Sequence, residues 1–132
     1  MKTKMEFEEN KHLLNFHDMD KHHIEFVDIY NTIDKSSISS YKNVASKLFE
    51  QTKIHFCEEE KLMDKNNYPR KKEHLDEHNK VLMEMEYFIK KADSKIGQMM
   101  LKSYLDEKLP SWFDLHLMTM DSDLAYYLKN NS

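Results

Sequence analysis

Three short stretches of this chain carry histidine and carboxylate at a spacing of about one helical turn. His55 precedes Glu59 by four residues in HFCEE, and His74 precedes His78 by four in HLDEH. His116 precedes Asp121 by five in HLMTMD, and DKHHIEF sets His22 and His23 side by side. Residues four apart share one face of an α-helix, so each of the first two pairs projects from a single side. Imidazole and carboxylate on an apolar face carry a desolvation cost unless they are paired or bind a metal. Five imidazoles and two carboxylates exceed the four ligands of a structural zinc site. They suit a pair of metals with the carboxylates as bridges. Imidazole suits Fe, Cu, Zn and Ni, and carboxylate moves the choice toward iron or manganese.

Two points of spacing stay open at this level. His22 and His23 lie about 100° apart on a helix, so at most one faces inward. The step from His116 to Asp121 turns about 140° on an ideal helix, too far for one face. Either the carboxylate approaches from a different direction, or a local bulge interrupts the helix. His12 and His17 fit no ligand pattern and read as surface residues. Cys57 is rotated about 200° from His55 and reads as a helix-interface or surface thiol rather than a ligand.

Long amphipathic segments must position these groups. The first spans about 20–33, with Phe26, Val27, Tyr30 and Ile33 at helical spacing and Asp18 or Asp20 as its cap. The second spans about 41–64, with Ser39 or Ser40 as N-cap and Val44, Leu48, His55, Glu59 and Leu62 facing inward. Asn66 and Asn67 end it. Pro69 suits the first turn of the third, about 69–91, whose stripe is His74, His78, Val81, Met85 and Phe88. A loose stretch around 92–94 and Gly97 leads to the last, about 95–128, whose stripe after Pro110 is Phe113, His116, Met120 and Leu124. Pro110 predicts a kink or break there. Short connections between long amphipathic helices predict an all-α, up-down-up-down antiparallel four-helix bundle with a di-metal site in its core. Residues 1–132 read as a single domain: an N-terminal arm at 1–18, packed outside or across the bundle, and the bundle at 19–128.

Composition agrees. The 132 residues suffice for one core, and one Gly and two Pro argue against a turn-rich β fold. A net charge of −4 with interspersed signs gives no nucleic-acid footprint. The single cysteine needs no oxidising compartment. No apolar run approaches a membrane span, and MKTKMEFEEN lacks the apolar segment of a secretory signal. A cytoplasmic protein is the expectation.

The residues resemble the hemerythrin family, in particular its single-domain bacterial members. The resemblance rests on MDKHHIEFVDIYN at 19–31, HFCEEEKLM at 55–63, YPRKKEHLDEH at 68–78 and WFDLHLMTMD at 112–121. It aligns Asp20 with the family's Asp, which makes His23 the ligand and leaves His22 where Gln is usual. It implies that His74, His78 and His116 hold one iron and that His23 and His55 hold the other, which keeps an open position. Glu59 and Asp121 would bridge the two irons together with an oxo or hydroxo group. Dioxygen would bind reversibly at the open position, taking two electrons from the diferrous pair and returning them on release. The chain departs from the family in having Phe113 where Leu commonly follows the Trp, and in lacking an N-terminal Trp.

A site with five histidines and two carboxylates has fewer anionic ligands than the carboxylate-rich oxygenases and ferritins, and so favours reversible binding over oxygen activation. The expectation is a dioxygen-binding protein for carriage, storage, delivery or scavenging, monomeric or a small homo-oligomer, rather than an enzyme. An apolar pocket would shield bound dioxygen, with Phe26, Leu62, Phe113, Leu117 and Met120 as its lining. The rival readings are a sensor of oxygen, nitric oxide or redox state acting through a separate protein partner, and a di-iron redox enzyme acting on peroxide or nitric oxide. A weaker one is zinc or iron binding without oxygen chemistry.

Overall fold

A computed structural model describes residues 5–130; residues 1–4 of the expected arm and the last two residues lie outside it. Every regular element among the described residues is helical. A short α1 (Glu9–His12) precedes α2 (His17–Tyr30), α3 (Ile38–Lys65) and α4 (Lys71–Lys91). The final helical run comprises α5 (Lys95–Ser103), a first π turn (Tyr104–Lys108), α6 (Leu109–His116), a second π turn (Leu117–Asp121) and α7 (Ser122–Asn130). None of the described helices is long and apolar enough to cross a membrane.

The termini of these helices follow local chemistry. α2 stops at Tyr30, short of the expected Ile33, which is buried in the turn that follows. Asp20 serves the start of α2 from within: its carboxylate accepts from Leu14 N at 2.7 Å and Phe16 N at 3.1 Å. The N-cap of α3 is Ser37 rather than Ser39 or Ser40, because Ser37 has the extended backbone that lets its hydroxyl accept from Ser40 N. Asn66 caps the C-terminus of α3, and Asn67 adopts φ 51°, which reverses the chain before Pro69. Tyr68, Pro69 and Arg70 form a turn, so α4 begins at Lys71, two residues later than expected. Ser94 caps α5 by accepting from Gly97 N at 3.0 Å. Gly97 thus belongs to the first turn of that helix, not to a loose stretch. A Cβ there would sit 1.5 Å from Lys91 O, which is why the position is glycine.

Pro110 does not break the last helix. The first π turn lies just before it, with Leu109 N donating to Tyr104 O across five residues. In that register the carbonyl of Leu105 faces Pro110, which has no N–H to give. The hydroxyl of Tyr30 donates to Leu105 O instead, at 2.5 Å.

Buried side chains of α2, α3, α4 and the last run form one core, including Phe26, Tyr30, Leu48, Met63, Met85, Leu105 and Leu124. Bonds between elements set their register. Tyr41 OH donates to Asp106 at 2.8 Å near one end, and Tyr68 OH donates to Asp123 near the other. The N-terminal segment packs on this body. Asn31 and the backbone of Met5 exchange two hydrogen bonds of 2.8 Å, and Lys129 donates to Leu14 O at 2.9 Å.

His12 overturns its reading as a surface residue. It is 1% exposed, accepts from Glu8 N at 2.9 Å through Nδ1, and meets Asp114 at 2.8 Å through Nε2. With Nδ1 an acceptor, Nε2 carries the proton. His17 is exposed, as expected.

Candidate metal centre

The core closes around seven polar side chains. His23 comes from α2, His55 and Glu59 from α3, His74 and His78 from α4, His116 from the end of α6 and Asp121 from the end of the second π turn. All seven are buried. Their ligand atoms form two groups, each with every atom within 4.8 Å of the others: Glu59, His74, His78, His116 and Asp121, and His23, His55, Glu59 and Asp121.

The second π turn answers the spacing question posed by His116 and Asp121. Ser122 N donates to Leu117 O, a five-residue step. That wider turn brings Asp121 back over His116, with Asp121 Oδ1 3.1 Å from His116 Nε2. It also moves the inward stripe by one residue. Asp121 is buried where the α-helical pattern placed Met120, which is only half-buried.

Each carboxylate divides its two oxygens between the groups. Asp121 Oδ1 faces His74 at 3.0 Å and His116 at 3.1 Å, while Oδ2 faces His23 at 2.9 Å. Glu59 Oε1 faces His78 at 3.2 Å and His74 at 3.3 Å, while Oε2 meets His55. In every one of these contacts the imidazole presents Nε2.

Electrostatics follow from crowding and burial. Burial and the Asp121 charge work to raise Glu59, but His55 and His74 outweigh them and hold it well below the usual carboxylate range. Burial likewise opposes ionisation of Asp121, yet His116, His23 and His74 keep it well below that range. Burial works to lower His74, but the Asp121 and Glu59 carboxylates beside it push it up to about 9. His55 is raised against burial by the charge of Glu59. His78 is lowered, because burial dominates there.

The donor set fits metal ions. Glu59 Oε1, His78 Nε2 and His116 Nε2 are buried without a hydrogen-bond partner in the protein. Buried polar atoms are rarely left so, and an ion coordinated by them is a standard explanation. Aromatic rings hold the imidazoles in place: Phe56 stacks on His78 at 3.6 Å, and Trp112 stacks on His116 at 4.7 Å. Trp112 is itself anchored by Glu77, which accepts from its Nε1 at 2.8 Å. Sequence reasoning missed these supports. The adjacency of Phe56 to His55 and of Trp112 to Phe113 was the available signal, but which helix each ring meets depends on packing.

A cavity of ≈ 10 Å³ adjoins the cluster, reaching His23, His55, His116 and Asp121. Phe26, Phe113 and Leu117 line it, as expected. Leu62 and Met120 do not. Leu62 is half-buried on a separate surface cleft that contains His22 and Glu58. His22 lies at that rim, meets Glu58, and stacks on His55 at 4.9 Å. Cys57 is exposed and outside both ligand groups.

Fold and site together define an all-helical protein with a buried histidine and carboxylate cluster able to hold metals. No family model matches the chain, and no solved structure gives a significant match. Among curated proteins, the chain is 28% identical over 109 residues to a bacteriohemerythrin of Ralstonia nicotianae (strain ATCC BAA-1114 / GMI1000). That alignment covers 83% of this chain and 78% of the relative. This similarity to a bacteriohemerythrin agrees with the resemblance read from the motifs of the chain.

Proposed function

We propose that this chain is a non-haem di-iron protein that binds dioxygen reversibly, as a carrier, store or scavenger rather than a catalyst. The observation that carries the reading is the division of Glu59 and Asp121, each with one oxygen toward His74 and its neighbours and the other toward His23 or His55. His74, His78 and His116 would hold one iron, His23 and His55 the other, and the two carboxylates would bridge them. Bound, the iron pair would supply the two electrons that reversible dioxygen binding needs.

The chain's own residues do the rest. With both carboxylates shared, three histidines at one metal position and two at the other would leave the His23 and His55 side with the open position. The small cavity lies beside those two histidines, so its size admits only a very small ligand. Phe26, Phe113 and Leu117 present carbon there and exclude water and protons. Phe26 and Phe113 stack at 4.7 Å, which stiffens that wall.

We infer a single-domain, up-down-up-down antiparallel four-helix bundle as the architecture. Bonds from Tyr30 to Leu105 and from His23 to Asp121 favour an antiparallel course for α2 and the last run. We place the protein in the cytoplasm, where its exposed Cys57 would remain reduced. The similarity to a bacteriohemerythrin supports dioxygen as the ligand.

The test is anaerobic reconstitution with ferrous iron, metal counting, and visible spectra through cycles of air and argon. Two irons per chain and a band that rises in air and vanishes under argon are expected. Irreversible oxidation on first exposure to air would favour a redox enzyme or sensor. Failure to retain two metals would overturn the reading.

A further inference from the structure

The wall of the small cavity contains a hydroxyl that nothing among the described residues satisfies. Thr52 lies on α3, one turn before His55, and is 2% exposed. It lines the cavity, and its Oγ1 is buried without a hydrogen-bond partner. Helical threonines commonly bond a carbonyl in the preceding turn. Thr119, in the second π turn, does so, donating to Leu115 O at 2.6 Å. Thr52 does not, although the same local bond is open to any helical threonine.

Among the lining residues outside the histidine and carboxylate cluster, that hydroxyl is the one donor without a partner. Phe26, Phe113 and Leu117 offer carbon only. Trp112 gives its indole N–H to Glu77 at 2.8 Å. The lining histidines His23, His55 and His116 belong to the cluster and turn Nε2 toward Asp121 or Glu59. A buried hydroxyl with no partner is unfavourable on its own, and becomes favourable once a ligand accepts from it.

We propose that Thr52 is a ligand-recognition residue: its Oγ–H donates a hydrogen bond to the distal atom of a small diatomic ligand held beside His23 and His55. The inference rests on the dioxygen-binding reading. Thr52 then discriminates among small ligands by their capacity to accept a proton in a hydrogen bond. Ligands that gather negative charge on the distal atom are held longer than those that stay apolar.

The test uses the ferrous-loaded protein and nitric oxide, a diatomic probe of the same site, in wild type, Thr52→Val and Thr52→Ser. Valine keeps the shape and removes the hydroxyl; serine restores it. Nitric oxide should leave Thr52→Val about fivefold faster than wild type, as the loss of one hydrogen bond implies. Its N–O stretch should shift in heavy water in wild type and Thr52→Ser, but not in Thr52→Val. Urea unfolding of the metal-free proteins supplies a separate readout. Thr52→Val should be at least as stable as wild type, because the hydroxyl it removes has no partner. Equal release rates and no isotope shift, with both proteins holding two irons, would overturn the proposal while leaving the di-iron reading intact. A large loss of stability in metal-free Thr52→Val would assign the hydroxyl a structural role and overturn it as well. A chain that retains no iron would overturn both.

Discussion

The second π turn makes a quantitative demand on chain length between His116 and Asp121. Deleting the exposed Met118 would shorten their step from five residues to four. A regular α-helix would then turn about 40° beyond one full revolution between them, the same offset as His55 to Glu59. The carboxylate would stay over the site, and the buried positions Leu124, Ala125 and Leu128 would keep their face. Inserting one alanine after Met118 should do the opposite. It would rotate Asp121 by about 100°, and side-chain atoms lie roughly 5–6 Å from a helix axis, so the carboxylate would swing by about 8 Å. Its contacts of 2.9–3.1 Å with His23, His74 and His116 would all be lost. Metal counting after ferrous reconstitution reads both variants, with circular dichroism and urea unfolding to establish that each is folded. The deletion variant should retain two metals per chain, and the insertion variant should lose at least one. A folded deletion variant without metals, or an insertion variant with two, would refute the argument that the π turn serves to restore a one-face alignment.

Further outcomes follow from particular contacts. Gly97→Ala should lower unfolding stability by about 1–3 kcal/mol, measured in urea, since its Cβ would overlap Lys91 O. His12→Leu removes the bonds to Glu8 N and Asp114 and should cost about 1–3 kcal/mol, with the metal count unchanged. In the metal-free protein His74 is raised to about 9, so its charged form stabilises the fold fully below about pH 6.5 and that contribution is lost as pH rises through 9. The urea midpoint should fall across that window in wild type, and the fall should be smaller in His74→Leu. Ferrous iron at one hundred times its dissociation constant should stabilise the fold by about 2.7 kcal/mol for each site filled, and a chelator should reverse the gain in a thermal scan.

Much of this protein could be read from one dimension because its determinants are local. The pairs His55 with Glu59 and His74 with His78 are set by helical repeat alone, and apolar residues of the same period mark which way they face. Hence four of the seven cluster residues needed no knowledge of the partner helices beyond their existence. His23 was separated from His22 only by the family resemblance; geometry now puts His23 in the core and His22 at the rim.

Other features were decided only by tertiary structure, and the reason is the same in each case. A π turn has no strong residue signature, because it answers a demand for register made by the packed helices. Thus Asp121 rather than Met120 turns inward. Pro110 is tolerated because Tyr30, 75 positions away from Leu105, satisfies the carbonyl the proline cannot serve. His12 is buried because Asp114, 102 positions distant, meets it. The free hydroxyl of Thr52 is visible only once Phe26, Phe113 and Trp112 have closed around it. Helical periodicity states which face a residue occupies; what stands opposite that face depends on the fold.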